Sequence, residues 1–392
     1  MKSFRNPLST KSSKTILIIG ASARAAAFSA IRAGLRPIAM DLFNDWDLAQ
    51  SCQAVAIEDY PRESVEMAAQ FPGIPWMYCG GFENVPNLVA KISETHPLWG
   101  NASETLRRIR NPFHLTKTLQ NDGFHVPTIR EIPPRKSERI WLIKRLHSSG
   151  GTGICVYNPA ESTTAVDDRY FQEFIRGTSI SVLFVAARGQ ARLLGITKQL
   201  HGQQWGVASD FPYVGSIGPF VLDKEQRSRI QELGTFLAAT FPLRGLFGVD
   251  AILNQHGFWP VDVNPRFPAS SEILERVFDF NALAVHVAAC QTGQLPSEVK
   301  PQTSRCHGKA IVFAEETCVV SNVLRKPCSA VHKPNIWPQI ADIPRAGVCQ
   351  QRGDPIMTVF ATGPNVETVE QQLMKCVATT RQQLLKLVES PH

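Results

Sequence analysis

The sequence predicts mixed α/β and α+β structure, with a doubly wound parallel sheet first and antiparallel strands later. Short β-branched runs alternate with helical patterns over the first hundred residues, which is typical of βαβ units. Residues 244–270 instead contain two β-type runs joined by a polar turn, which indicates an antiparallel hairpin. A chain of 392 residues is long enough for about two to four structural units.

Composition narrows the class of protein. Hydrophobic residues make up 43% and charged residues 19%, as in a globular protein. The net charge of +7 comes without a Lys/Arg block or an aromatic-interleaved basic stripe, so a nucleic-acid partner is disfavoured. No stretch approaches the roughly 18 apolar residues of a membrane span. The nine cysteines are scattered singly without a C-x-x-C pair, which indicates reduced thiols in a cytoplasmic protein.

The first βαβ unit is predicted near the N-terminus, after a loose tail at residues 1–14. A strand ends at Gly20, an Ala-rich helix follows to Gly34, and a second strand closes on Asp41. The turn Gly20-Ala-Ser-Ala-Arg-Ala lacks the second and third glycines of a dinucleotide fingerprint. We therefore expect a turn that packs, or that holds a small substrate, rather than an NAD(P) site.

A lysine at a strand end precedes a glycine-rich loop in the middle of the chain. Lys144 closes a predicted strand, and the loop Ser148-Ser-Gly-Gly-Thr-Gly153 follows it. Such a lysine can pair with nucleotide phosphates while loop amides bind their oxygens. The loop is not a Walker A motif, and a mobile hairpin turn beside a surface lysine is the alternative.

Further elements are predicted downstream. The passage Gln172-Glu-Phe-Ile175 can offer main-chain groups and an apolar bed to an adenine, although simple core packing also explains Phe174. Residues 211–219 have the composition of a substrate-binding loop or of any long turn. Residues 272–291 are partly apolar all round, which predicts one buried helix. After residue 301 we expect short strands at 309–314, 330–333 and 357–361 and a terminal helix at 366–388.

The predicted hairpin carries two acids. Asp250 lies in its first strand and Asp262 in its second, so a hairpin in register brings both carboxylates to one face. Asn264 follows on the same side, and Arg266 comes two residues later. Carboxylate and amide oxygens suit Mg²⁺, and a neighbouring Arg can stabilise charge on a transferred phosphoryl group. A strand end followed by an Asx-type turn is the alternative interpretation.

The order of these motifs resembles the ATP-grasp superfamily, and the three-part chain is similar to its biotin-carboxylase-like branch. The resemblance implies a Rossmann-like domain at residues 15–110, an ATP-grasp domain of two lobes at 111–300 and a small β-rich cap at 301–392. It also implies ATP and Mg²⁺, with Mn²⁺ as a substitute, as cofactors. By this resemblance Asp250, Asp262 and Asn264 ligate the metal, and Arg266 stabilises an acyl phosphate. The implied nucleotide-contacting residues are Lys144, Ser149, Gly150, Gly151, Thr152, Gly153, Gln172, Glu173, Phe174 and Ile175.

The chain departs from the family pattern in two places. Ser179 stands where ATP-grasp enzymes often have an acid for the ribose. The early lysine of the domain has no counterpart near residues 111–113, unless Lys117 serves. A narrower likeness, carried by Gly20-Ala-Ser-Ala-Arg24 and by the run Asp41-Leu-Phe-Asn-Asp-Trp-Asp47, is to the ATP-grasp group that includes tyramine–glutamate ligase of one-carbon cofactor biosynthesis.

We therefore expect a ligase that activates a small-molecule carboxylate as an acyl phosphate and joins it to an amine. Two alternatives remain open: a carboxylase that uses bicarbonate, and a protein that binds ATP without chemistry. Because the expected mechanism needs no side-chain nucleophile, we expect His147, His201 and His286 to be structural or solvent-facing. A homodimer is left open.

Overall fold

The computed structural model describes residues 15–134, 139–160, 168–320 and 336–387. The expected tail 1–14 and the predicted strand 330–333 lie outside these ranges. The strands are β1 (Thr15–Gly20), β2 (Arg36–Asp41), β3 (Gln53–Ala56), β4 (Trp76–Tyr78), β5 (Ile129–Arg130), β6 (Trp141–Arg145), β7 (Cys155–Val156), β8 (Arg169–Glu173), β9 (Thr178–Ala187), β10 (Gln190–His201), β11 (Tyr213–Gly218), β12 (Gly245–Asn254), β13 (Gly257–Asn264), β14 (Cys306–Phe313), β15 (Cys318–Val319), β16 (Ile340–Ala341), β17 (Cys349–Gln350) and β18 (Pro355–Gly363). The helices are α1 (Arg24–Arg32), α2 (Trp46–Ser51), α3 (Ser64–Ala68), α4 (Pro86–Ser93), α5 (Ser103–Ile109), α6 (Pro112–Asn121), α7 (Lys224–Thr240), α8 (Ser271–Val277), α9 (Ala282–Gln291) and α10 (Val366–Leu387).

The N-terminal sheet is parallel, in the order β3-β2-β1-β4, which confirms the predicted doubly wound start. Alternate residues of β1 enter different cores. Ile16 and Ile18 pack in one hydrophobic cluster, while Leu17 and Ile19 pack in another. A strand that is buried on both faces needs an unbroken apolar run, which is what β1 contains.

The central sheet has eight strands in the order β13-β12-β9-β10-β11-β14-β18-β16. Its neighbouring strands pair antiparallel throughout. Three of them, β14, β16 and β18, come from residues 301–392, which were expected to form a small β-rich cap. That region therefore extends the central sheet, because β14 pairs directly with β11.

A smaller antiparallel sheet, in the order β5-β8-β6-β7, lies across a cavity from the central sheet. Its strand β6 carries Lys144, and its strand β8 carries Gln172. The two antiparallel sheets bring residues that are distant in sequence to the same cavity.

The expectation of an irregular loop over residues 211–219 was wrong. Residues 213–218 form β11, an interior strand of the central sheet. Its glycines allow close strand pairing, since a Cβ on Gly215 would lie 2.0 Å from the carbonyl oxygen of Lys309. Glycine and aromatic residues in this stretch therefore reflect tight packing against β14 rather than a loop.

The single helix expected over residues 272–291 is instead two helices, α8 and α9. The chain turns at residues 278–281, where Phe278 forms an isolated β-bridge with Pro301. Asn281 then caps α9, and its side-chain oxygen accepts from the backbone N–H of Ala284 at 2.7 Å. This side-chain cap starts a new helix that an apolar pattern alone does not reveal.

A buried ion network joins the N-terminal domain to the central sheet. Arg24 of α1 donates to both carboxylate oxygens of Glu272 on α8 and also contacts Asp342. Lys309 of β14 donates to the same Glu272 at 3.0 Å. Burial alone would raise the pKa of Glu272, but Arg24 and Lys309 outweigh it and hold the pKa well below its ordinary value. Glu272 therefore carries its charge at neutral pH.

The described residues bear on two expectations, one about membrane spans and one about the cysteines. No helix among them is both long enough and apolar enough to cross a membrane. Eight cysteines lie in these ranges, and all of them are free thiols.

Replacing Glu272 with Gln is expected to lower the free energy of unfolding by about 3–5 kcal/mol, because two buried cations lose their shared counter-charge. Urea unfolding at neutral pH measures the change. The control is Glu232→Gln, which removes an exposed pair with Arg229 and should cost less than about 1 kcal/mol. Equal losses in the two variants would contradict the structural importance of the network.

Candidate nucleotide and metal site

A cavity of about 290 Å³ lies between the small sheet and the hairpin of β12 and β13. It is near the lower end of the usual size range for ligand cavities. Most of the residues predicted for the site line it. These are Lys144, Ser149, Gly150, Gly151, Gln172, Phe174, Ile175, Asp250, Asp262, Asn264 and Arg266.

The hairpin forms as predicted and holds its two acids opposite each other. Asp250 of β12 pairs in register with Asp262 of β13. The register then shifts, so that Ala251 pairs with Pro260 and Val261 is the extra residue of a β-bulge. The carbonyl of Val261 is thereby free to accept from the ammonium group of Lys144, at 3.4 Å.

Asp250 is held by neutral side chains. Its carboxylate oxygens accept from the amides of Gln199 and Asn264, each at 2.8 Å. Burial raises the pKa of Asp250, and the nearby charge of Asp262 raises it further. The two carboxylates are therefore close enough for each to affect the ionisation of the other.

Asp262 is instead paired with a cation. Arg110, which follows α5 directly, donates to Asp262 at 2.5 Å and to the carbonyl of Val263 at 3.2 Å. Burial alone would raise the pKa of Asp262, but Arg110 and Lys144 outweigh it and place the pKa below its ordinary value. Asp262 is therefore ionised at neutral pH and faces the cavity.

Lys144 bridges the two sheets. Its ammonium group donates to the side-chain oxygen of Gln172 at 3.2 Å, in addition to the bulge carbonyl. Burial lowers the pKa of Lys144, yet Tyr170 and Asp262 outweigh burial and leave the pKa above its ordinary value. Lys144 is thus a cation positioned in the cavity beside the acid pair.

Arg266 is fixed from the N-terminal domain. It donates to Glu83 at 3.0 Å and to the side-chain oxygen of Asn264 at 3.1 Å. Glu83 is fully buried, and its second carboxylate oxygen has no hydrogen-bond partner. The carboxylate thus anchors a guanidinium that reaches the cavity wall beside Asn264.

The glycine-rich loop packs against the segment before β11. Gly151 has φ +74°, and a Cβ there would lie 2.1 Å from the carbonyl oxygen of Phe211. The backbone N–H of Tyr213 donates to the carbonyl of Gly150 at 2.8 Å. Arg110 also donates to the carbonyl of Ser148, at 3.0 Å. These contacts hold the loop in place at the cavity.

Three predicted nucleotide-contacting residues do not line the cavity. Thr152 is exposed, and its hydroxyl donates to the backbone carbonyl of Ser149. Gly153 lies beside the side chain of Arg145. The carboxylate of Glu173 accepts from Thr128 and from Arg139, which turns it away from the cavity. The part of the loop that faces the cavity ends at Gly151.

The two departures from the family pattern can now be located. Ser179 lines the cavity, and its hydroxyl donates to Gln199, which in turn donates to Asp250. Lys117 is exposed and lies outside the cavity lining. The cation found near the start of the domain is Arg110 instead.

The lone histidines take no central position in this site. His147 is exposed, and His201 lies at the cavity edge with its ring bonded to the carbonyl of Asp210. His286 is buried, where it accepts from the backbone N–H of Leu246 and bonds the carbonyl of Trp99. Burial lowers the pKa of His286 to about 4, so its ring is neutral.

The predicted metal ligands form an oxygen-donor set that fits Mg²⁺ in chemistry. No group of three or more His, Cys, Asp and Glu side chains that could hold a metal occurs in the described part of the chain. The predicted set therefore rests on two carboxylates and one amide. Asn264 would bind the metal through its side-chain oxygen, which here accepts from Arg266. Asp262 would bind it through the carboxylate that here accepts from Arg110. Such a set leaves the remaining positions of an octahedral Mg²⁺ to water and phosphate.

Sequence reasoning missed Arg110, Glu83 and Gln199. Arg110 ends the segment Arg107-Arg-Ile-Arg110, which is typical of an ordinary helix end, and nothing local sets it apart. Glu83 follows the Gly80-Gly81 turn after β4, at the carboxyl edge of a parallel sheet, where ligands commonly bind. That position in the sheet could have identified Glu83 from the sequence. No local feature of the sequence sets Gln199 apart.

Residues 109–270 match the sequence model of the ATP-grasp domain. An uncharacterized protein of Methanocaldococcus jannaschii is 24% identical over an alignment of 291 residues, and the match covers 71% of this chain and 66% of that protein. This chain thus spans less than two thirds of that relative's length in the match.

Two solved structures are similar along most of the chain. The L-amino acid ligase from Bacillus licheniformis has a TM-score of 0.70 at 16% identity, and the match covers 98% of this chain and 100% of the ligase. A biotin carboxylase–β,γ-ATP complex from Campylobacter jejuni has a TM-score of 0.66 at 14% identity, with 96% and 91% covered. The fold of this chain is therefore the ATP-grasp fold, with its ATP-grasp domain at residues 109–270.

Proposed function

We propose that this protein is an ATP-dependent ligase that activates a carboxylate as an acyl phosphate and joins it to an amine. The observation that carries the proposal is the convergence of Asp250, Asp262, Lys144 and Arg266 on one cavity. These groups come from both antiparallel sheets and from the chain that follows the hairpin. They supply two acids and two cations around a space that a polyphosphate and a carboxylate would share.

The roles follow from charge and position. Lys144 binds phosphate oxygens and offsets their charge, as the loop amides at Ser149 to Gly151 do. Arg266, fixed by Glu83, stabilises charge that develops when the substrate carboxylate attacks the γ-phosphorus of ATP and ADP leaves with the bridging oxygen. Asp250, Asp262 and Asn264 would hold Mg²⁺, which when bound would supply further neutralisation of phosphate charge. The amine then displaces phosphate, so no side chain has to form a covalent bond.

The substrates we favour are an amino acid carboxylate and a small amine, with glutamate and tyramine as the first pair to test. The support is the likeness of Gly20 to Arg24 and of Asp41 to Asp47 to the group that contains tyramine–glutamate ligase. The structural similarity to an L-amino acid ligase agrees with an amide-forming reaction. The similarity to a biotin carboxylase keeps a bicarbonate-using carboxylase as the second candidate.

An ADP-release screen separates these candidates. The full-length chain is incubated with Mg-ATP and a matrix of amino acids and amines, and a parallel series contains bicarbonate. A ligase gives ADP release that depends on an acid and an amine together, whereas a carboxylase depends on bicarbonate. ATP binding with no ADP release under any mixture would indicate a protein without chemistry and would contradict the proposal.

Asp262→Asn is expected to lower turnover by about 100-fold or more, because the variant loses a charged metal ligand but keeps its shape. The measurement is ADP release as a function of Mg²⁺ concentration. The control is Asp59→Asn, at an exposed aspartate that does not line the cavity. Unchanged Mg²⁺ dependence in the Asp262 variant would remove this residue from the metal set.

Lys144→Met should weaken nucleotide binding by about 10- to 100-fold, since a charge-assisted hydrogen bond contributes about 1.5–3 kcal/mol. Calorimetric titration with Mg-ADP measures the affinity. Lys91→Met serves as the matched control, because Lys91 is exposed on α4. If the two variants bind Mg-ADP equally well, Lys144 does not contact the phosphates.

A further inference from the structure

A second cavity lies at the outer edge of the central sheet. Its volume is about 580 Å³, and it shares no lining residue with the nucleotide cavity. We name it the edge cavity, and define it by Arg276, His307, Trp337, Phe360, Thr362 and Lys375. It lies where β16 stops pairing with β18, between α8 on one side and α10 on the other.

Arg276 is the unusual residue of the edge cavity. The side chain is largely buried, with 7% of the residue exposed, and its Nε has no hydrogen-bond partner. One Nη donates to the backbone carbonyl of Pro338 at 3.1 Å. The guanidinium carbon lies 4.7 Å from the ring centroid of Trp337 and 4.0 Å from that of Phe360. Two aromatic rings thus hold the group in place while one donor stays unused.

No carboxylate in the described part of the chain forms an ion pair with Arg276. The nearest acids in sequence are committed elsewhere. Glu272 accepts from Arg24 and Lys309, and Glu275 accepts from Ser29, Arg32 and the N–H of Ala282. Asp279 accepts from the backbone N–H of Lys300 at 2.8 Å. Burial lowers the pKa of Arg276 to about 10, despite the nearby Glu272. A buried cation without a paired anion is costly, which points to an anion that is supplied from outside.

The other lining groups of the edge cavity suit an anion. Lys375 is basic, and Thr379 and Thr380 carry hydroxyls that can donate to oxygen. The hydroxyl of Thr362 is hydrogen-bonded to the ring of His307 at 3.0 Å, and burial together with Arg276 and Arg305 lowers the pKa of His307, so this ring does not add a second cation at neutral pH. No Asp or Glu lines the edge cavity among the described residues. The sequence of residues 321–335, which ends just before Trp337, contains no Asp or Glu either. That stretch therefore cannot supply the missing counter-charge.

We propose that the edge cavity binds a small organic anion whose phosphate or carboxylate group pairs with Arg276. The cavity is large enough for a metabolite rather than for an inorganic ion alone. The anion would pair with the guanidinium of Arg276 and accept from the hydroxyls of Thr379 and Thr380, with Lys375 at the rim. This assignment is independent of the proposed ligase activity, since the two cavities share no residue.

Calorimetric titration of the full-length chain tests the proposal, with glycerol 3-phosphate as the phosphate probe and citrate as the carboxylate probe. At least one probe is expected to bind, and whichever binds identifies the anionic group. Arg276→Met should weaken that probe at least tenfold, while Lys144→Met in the nucleotide cavity should leave its affinity unchanged. Absence of binding by both probes up to about 10 mM, well above usual metabolite KM values, would overturn the proposal.

A second variant guards against misfolding. Lys375 is exposed at the rim, so Lys375→Gln should fold normally and weaken the same probe severalfold. Thermal unfolding without probe is also informative, because Arg276→Met removes an unpaired buried charge and should not lower the midpoint. Equal probe affinity in the wild type and both variants would overturn the assignment, as would loss of binding only in Lys144→Met.

Discussion

The repulsion between Asp250 and Asp262 is the constraint on which the nucleotide site depends. The hairpin register fixes these two acids opposite each other, so neither can move away without breaking strand pairing. The surrounding groups reduce the free-energy cost of this repulsion. Arg110 and Lys144 supply positive charge, while Gln199 and Asn264 donate neutral hydrogen bonds to Asp250. The two acids therefore stay together on one face of the cavity, where the proposed metal ligation requires them.

The N-terminal domain keeps this arrangement rigid from outside. Tyr78 and Asn101 both donate to the carbonyl of Pro265, directly after the hairpin. Glu83 then orients Arg266, and Asn84 accepts from Arg110. The N-terminal domain lacks the dinucleotide fingerprint in its first turn. It contributes to the site instead through residues in the second half of the domain. Such support by a neighbouring element is what holds reacting groups in a fixed geometry.

The sequence predicted the parts that depend on local pattern. The hairpin, the strand that ends at Lys144 and the parallel N-terminal sheet each follow from periodicity or from a polar turn. The partner of Asp262 could not be predicted, because Arg110 is 152 residues away and only tertiary packing joins them. The strand β11 was missed for a related reason. Its glycines indicate a loop when read locally, and their close approach to β14 is visible only in the folded sheet.

The continuity of the central sheet has a practical consequence for work with this protein. The domain match ends at residue 270, which suggests a natural place to cut the chain. A fragment ending there would remove β14 and leave β11 as a bare edge, with unpaired backbone groups beside the apolar side chains of Val214 and Ile217. Exposed edges of this kind promote association between molecules. Recombinant fragments should therefore retain the chain through β18 and α10, even when only nucleotide binding is under study.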